Sequence, residues 1–140
     1  MKLTTKGRYA VMAMADLATN ENLKPISLSE ISIRQNISLS YLEQLFVKLK
    51  NNHLVKSVRG SHGGYILDKK AKDIKLSSII FAVNEEVKTL NCKKNSKKGC
   101  GGRTVRCITH NLWDDLEKHI NGFFESKNLN DIVSKQENTF

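Results

Sequence analysis

The sequence predicts a mainly α fold with a small β-wing: a winged helix-turn-helix followed by a long amphipathic helix, with a ligand-rich loop between them. Three observations predict it. Two short helical patterns, one opened by Ser27 and one by Ser38 or Ser40, follow each other within a few residues. Two strand-like runs, Leu54–Val58 and Tyr65–Leu67, flank the glycine-rich tip Arg59-Gly60-Ser61-His62-Gly63-Gly64. All three cysteines of the chain, Cys92, Cys100 and Cys107, gather with His110 in a basic segment too short of apolar residues to need them as core filler.

The elements follow in order. Tyr9–Ala18 is almost continuously apolar and rich in Ala and Met, too long for a strand, so a buried helix is expected over residues 5 to 19 with Thr4 and Thr5 as caps. Asn20, Asn22 and the only proline, Pro25, break it. Ser27 and Glu30 then form an S-x-x-E capping box that opens a short helix through Ile31 and Arg34. Leu42, Leu45, Phe46 and Leu49 recur at i, i+3, i+4 and i+7, which puts one apolar stripe on a helix running to Lys50. The wing hairpin comes next, and Lys69–Lys75 is a charged connector. Leu76, Ile79, Ile80, Val83 and Val87 mark a helix opened by Ser77 or Ser78, leading directly into the cysteine loop. Leu112, Trp113, Leu116, Ile120, Phe123 and Phe124 give a wide apolar face on a helix over 111 to 126. That is more apolar surface than a small domain covers alone; a homodimer answers it, and packing against the first helix is the alternative. Leu129, Ile132 and Val133 predict a last short helix, with a loose polar tail after Ser134.

Charge points to the partner. The chain of 140 residues carries a net charge of +9, the balance of a protein that meets a polyanion. Residues 1–70 hold 11 Lys and Arg against 5 Asp and Glu, residues 91–107 add six cations and no acid, and residues 108–140 are net −3. The polyanion surface is therefore expected at the N-terminal end. No apolar run reaches the ~18 residues a membrane helix needs, and the stretch MKLTTKGRYAVMAMADLA, with its short apolar part and Asp16, does not read as a signal peptide. A reducing cytoplasm is the expected location, and an odd number of cysteines argues against a structural disulfide.

The outer face of the second helix of the pair offers Ser40, Tyr41, Glu43, Gln44, Val47 and Lys48, with Ser38 just ahead of it. Recognition helices read base edges from their N-terminal end. Gln44 can pair bidentately with adenine, Glu43 can accept from the cytosine amino group, and Ser38, Ser40, Tyr41 or Lys48 can reach bases or phosphates. A duller account exists for Glu43, as the partner of Ser40 in a capping box. Arg59 at the wing suits a narrow, electronegative minor groove. His62 reads as a solvated turn residue.

The four potential ligands are spaced C-x7-C-x6-C-x2-H. Thiolate and imidazole suit zinc or an iron–sulfur cluster, whereas magnesium and calcium want oxygen. The lysines and arginines around them favour the thiolate form. Zinc sites use paired C-x2-4-C knuckles, which this spacing lacks, so iron–sulfur leads and structural zinc stays open as the rival. A metal-dependent enzyme would need acid–base groups near the metal, yet neither His53 nor His119 is clustered with a carboxylate pair.

Both halves together resemble the IscR-type iron–sulfur cluster regulators, dimeric bacterial winged-helix transcription factors, over essentially the full length. The resemblance is carried by Met1-Lys2-Leu3-Thr4-Thr5-Lys6-Gly7-Arg8-Tyr9-Ala10-Val11, by Ile37-Ser38-Leu39-Ser40-Tyr41-Leu42-Glu43-Gln44-Leu45-Phe46, by Val58-Arg59-Gly60 to Gly63-Gly64-Tyr65, and by Cys107-Ile108-Thr109-His110-Asn111-Leu112-Trp113. It implies a [2Fe-2S] cluster held by Cys92, Cys100, Cys107 and His110, although the intervals between the cysteines are longer than in the best-known pattern of that family. Relatives that sense nitric oxide resemble a set of three cysteines plus a carboxylate near the N-terminus; this chain has Arg8 there and keeps His110. The implied organisation is a winged helix-turn-helix domain over 1–70, and a cluster-binding loop (91–110) with dimerisation helices over 71–140. The implied function is a non-enzymatic transcription regulator, repressor or activator, that senses cluster status and controls iron–sulfur cluster assembly genes. Operator DNA and a second copy are the implied partners, with RNA polymerase and cluster-assembly scaffold proteins beyond them. The alternatives are a nitric oxide- or iron-responsive regulator with another cluster, and a zinc-stabilised DNA-binding protein.

Overall fold

The Ala- and Met-rich run folds as α1 (Thr5–Asn20). Ala10, Ala13, Met14 and Leu17 recur at helical spacing and are fully buried, which makes one stripe of α1 the centre of the core. The computed structural model describes residues 5–20, 24–84 and 108–137. After α1 come α2 (Leu28–Gln35) and α3 (Leu39–Asn51), then strands β1 (Val55–Val58) and β2 (Gly64–Leu67), a 3-10 turn at Ala71–Asp73, and helices α4 (Leu76–Ala82), α5 (His110–Ser126) and α6 (Leu129–Glu137). Helices α2, α3, α4 and α6 all pack on α1, while α5 packs chiefly on α4. One core joins them: Ile31, Leu42, Phe46 and Leu49 meet Ile74, Ile79, Val83 and Leu129 around the α1 stripe.

The local starts of α2 and α6 are written in side chains. Ser27 Oγ accepts from Glu30 N at 3.2 Å and Glu30 Oε2 accepts from Ser27 N at 3.0 Å, the expected capping box. Asn128 and Asp131 do the same for α6, with both reciprocal bonds at 2.9 Å. β1 and β2 pair antiparallel with Val55 opposite Leu67 and Val58 opposite Gly64. Ile26 adds a third rung, exchanging two backbone hydrogen bonds with Tyr65 at 3.0 and 2.7 Å.

Three expectations change. Thr5 is the first residue of α1 rather than a cap, and Thr4 lies outside the described residues. Ser77 and Ser78 sit inside α4, which starts at Leu76 behind Lys75. The reason is tertiary: Lys75 bridges to Asn128, Leu76 N donates to Lys127 O at 2.9 Å, and Leu129 N donates to Ile74 O at 2.8 Å. The tail after Ser134 continues as helix to Glu137. The α5 face packs chiefly on α4, with Phe124 turned against the common core. Val87 lies outside the described residues. Among the described residues no helix is long and apolar enough to cross a membrane.

Candidate nucleic-acid interface and ligand loop

α2 and α3 make the helix-turn-helix, and the turn is held by its own caps and by a tie to α1. Asn36 closes α2 in the left-handed region at φ 54°, a conformation its short amide tolerates better than most side chains do. Ile37 is buried, and its carbonyl accepts from Ser32 Oγ at 2.6 Å. Ser38 then caps α3, its Oγ accepting from Tyr41 N at 3.2 Å. On α1, Asp16 ties the pair down: its carboxylate accepts from Arg34 Nη2 at 2.7 Å, Arg34 Nε at 3.0 Å and Gln35 Nε2 at 2.8 Å. Burial pushes the Asp16 carboxyl up, but the hydrogen bonds from Arg34 and Gln35 and the Arg34 charge outweigh it, so the group stays below its ordinary value.

α3 turns Leu42, Leu45, Phe46 and Leu49 into the core and leaves Ser40, Glu43, Gln44 and Val47 exposed on the opposite side. Ser38 rather than Ser40 is the cap, which removes the capping account of Glu43. Ser38 also lies 3.0 Å from Ser40 through their hydroxyls. Tyr41 is half-buried with its ring edge-to-face on Tyr9, centroids 5.8 Å apart, and Lys48 is half-buried as well. The wing is attached to this helix from below. The Tyr65 ring meets Phe46 at 4.9 Å, and Lys50 Nζ donates to Ser57 Oγ at 3.1 Å. Arg59 stands exposed at the end of β1, next to a turn closed by Gly63 N to Gly60 O at 3.0 Å. Gly60 there adopts φ +123°, which favours glycine. Ser40, Glu43, Gln44 and Arg59 are thus carried on one packed unit. Exposed Lys50 and Lys56 flank it; the sequence reading missed them individually, although its N-terminal charge excess contained them.

Of the four potential ligands, Cys92, Cys100 and Cys107 lie outside the described residues. His110 is the first residue of α5 and is only 5% exposed. Trp113 Nε1 donates to Thr109 Oγ1 at 3.0 Å across that helix start. Glu117, two turns along the face of His110, is equally buried, and nothing in the sequence singled it out. Among the described residues, no grouping of three or more His, Cys, Asp and Glu side chains could hold a metal.

Comparison with known proteins places this geometry. A family model described as an iron-dependent transcriptional regulator, Rrf2, matches residues 3–135. The chain belongs to the Rrf2 family. The HTH-type transcriptional regulator IscR of Photorhabdus laumondii is 51% identical to this Rrf2 protein over 137 residues, covering 98% of the chain and 82% of the relative. That of Escherichia coli O1:K1 is 50% identical, covering 98% and 83%. Among solved structures, T. potens IscR superposes with a TM-score of 0.79 at 36% identity, over 99% of this chain and 90% of that one. CymR, the global cysteine regulator of B. subtilis, superposes with 0.81 at 30% identity, over 96% and 98%. The resemblance read from the motifs is borne out, as is the mainly helical fold with a two-stranded wing. This Rrf2 protein is a DNA-binding transcriptional regulator and not an enzyme.

Proposed function

We propose that this regulator reads operator DNA as a homodimer, and that its choice of operator depends on whether Cys92, Cys100, Cys107 and His110 hold a [2Fe-2S] cluster. Control of iron–sulfur cluster assembly genes from the cytoplasm is the corresponding role. The observation that carries the DNA half is the exposed stripe Ser40, Glu43 and Gln44, fixed to the Arg59 wing by the Phe46–Tyr65 contact. In this reading Gln44 pairs with an adenine edge, and Glu43 accepts from cytosine or repels a wrong site. Ser38, Ser40, Tyr41 and Lys48 set the register on phosphates and nearby bases, and Arg59 enters the minor groove. Residues 1–70 supply these contacts, and residues 71–140 supply the ligand loop over 91–110 and the helices that pair two copies.

The donor set fits the cluster. Three thiols and one imidazole are the soft and borderline ligands such a group takes, and the surrounding cations favour the thiolate form. When bound, the group supplies an oxidisable iron centre whose ligation is pH-dependent through the imidazole. His110 leads α5, so the ligand set ends on the helix with the exposed apolar face.

Operator binding by the anaerobically purified protein, before and after iron chelation, tests both halves. A red-brown chromophore and a changed ratio of affinities between operators are expected. A colourless protein with bound zinc, or identical affinities with and without iron, rules out the sensor. Arg59→Ala should weaken binding to all sites, and Gln44→Ala should relax base preference at one position by about 1 to 3 kcal/mol. Unchanged binding in both variants removes the DNA assignment of these residues.

A further inference from the structure

α3 exposes two large apolar side chains, Leu39 at its first position and Val47 in mid-helix, and neither helix formation nor core packing explains the second. Val47 is 58% exposed, in the middle of a face that is otherwise polar, and it takes no part in the hydrophobic core. A β-branched residue is also a poorer helix former than the Lys, Gln or Glu that such a position would ordinarily carry. Its place on the helix is specific. It follows Glu43 and Gln44 by four and three residues, so it lies on the same side one turn further along.

We propose that Val47 is a base-reading residue, its isopropyl group packing against the 5-methyl of a thymine in the major groove of the operator. The major-groove edges of the bases present hydrogen-bond donors and acceptors, and thymine alone adds an apolar group there. An exposed valine therefore has one complementary feature in that groove. Helical rise puts it about 5 Å beyond Gln44 along the axis, or roughly one base-pair step of about 3.4 Å and a fraction more. The thymine accordingly sits next to the base pair that Gln44 reads, on the side toward the C-terminal end of α3. The inference rests on α3 being the helix that enters the groove. It adds a sequence preference that the polar residues cannot supply.

The test uses a duplex that the wild-type protein itself selects from a random pool, with each thymine replaced in turn by deoxyuridine, which removes only the methyl. Burying one methyl is worth about 0.8 kcal/mol, or about a fourfold change in affinity at about 1.4 kcal/mol per tenfold. One thymine per half-site should show that loss with wild type, and the same replacement should leave Val47→Ala unaffected. Val47→Ala keeps the fold, because the residue is exposed and alanine favours helix; its melting temperature checks this. Equal deoxyuridine penalties in wild type and Val47→Ala at every thymine overturn the proposal. If Gln44→Ala and Arg59→Ala still weaken binding, only the Val47 contact is lost and the DNA-facing reading of α3 stands. If neither does, or if no duplex is selected, that reading fails and takes this inference with it.

Discussion

Asp16 is a carboxylate held out of water beside the helix-turn-helix, and its charge is kept by three donors from α2. Its folded value lies below the ordinary carboxylate range. The stability it contributes is therefore present above its unfolded value, about pH 4, and is lost as pH falls through the lower folded value. Arg34 keeps a side-chain exposure of 39% and can return to water, so Asp16→Asn should cost about 2 kcal/mol at pH 7, the scale of hydrogen bonds to a charged group discounted for solvent screening. Urea unfolding at pH 7 and near pH 3 checks this: the gap between wild type and variant should narrow in acid, and a constant gap contradicts the sign. At this scale legibility follows sequence separation. Ser27 and Glu30 are three residues apart and announce their capping box, whereas Asp16 and Arg34 are eighteen apart, and only folding shows that they meet. Asp16 served in the sequence as an argument against a signal peptide. Glu43 gained meaning the same way, once Ser38 proved to be the cap and left the carboxylate exposed on the outer face of α3.

Among the elements, the wing is the one whose geometry most depends on a single residue. A Cβ on Gly64 would lie 2.3 Å from Ile26 O and 2.8 Å from Ser27 N, so the close approach that lets Ile26 bridge to Tyr65 needs glycine there. Gly64→Ala should cost about 1 to 3 kcal/mol, the range for forced overpacking, and should loosen the wing from the start of α2. Thermal melting together with amide hydrogen exchange at Ile26 and Tyr65 measures both effects; a wild-type melting temperature with those amides still protected would show that the backbone adapts. The hairpin itself was legible because its signals are local: alternating strand formers around a glycine-rich tip. The rung at Ile26 was not, since a lone residue beside Pro25 carries no strand pattern. The start of α4 failed for a related reason. Ser77 and Ser78 look like caps, but pairing between Lys75 and Asn128, fifty-three residues apart, fixes where the helix begins. The cysteine segment is legible as chemistry through its donor types, and it carries no periodic pattern.

For the molecule as a whole, α5 sets the question of assembly. Leu112, Trp113, Leu116 and Phe123 are 59%, 40%, 37% and 53% exposed along seventeen helical residues, and Phe81 of α4 adds a further exposed ring at 75%. α1 packs chiefly with α2, α3, α4 and α6, and these α5 side chains stay exposed beside it. A second copy, meeting the first about a two-fold axis, would bury the same stripe twice and set two α3 helices at a fixed spacing on a palindromic site. Leu116 lies near the middle of the stripe, and under two-fold symmetry each substitution there is felt from both sides. Leu116→Glu should therefore cost about 2 kcal/mol per copy, the threshold of an interface hot spot, and raise the dimer dissociation constant roughly a thousandfold. Sedimentation of the variant should show monomer where the wild type sedimentes as dimer. Because the substitution leaves α3 and the wing untouched, an isolated half-site should still be bound as the wild-type monomer would bind it, while affinity for the full palindrome collapses. A Leu116→Glu protein that remains dimeric and keeps its palindrome affinity would move the interface off α5, and the apolar stripe would need another occupant.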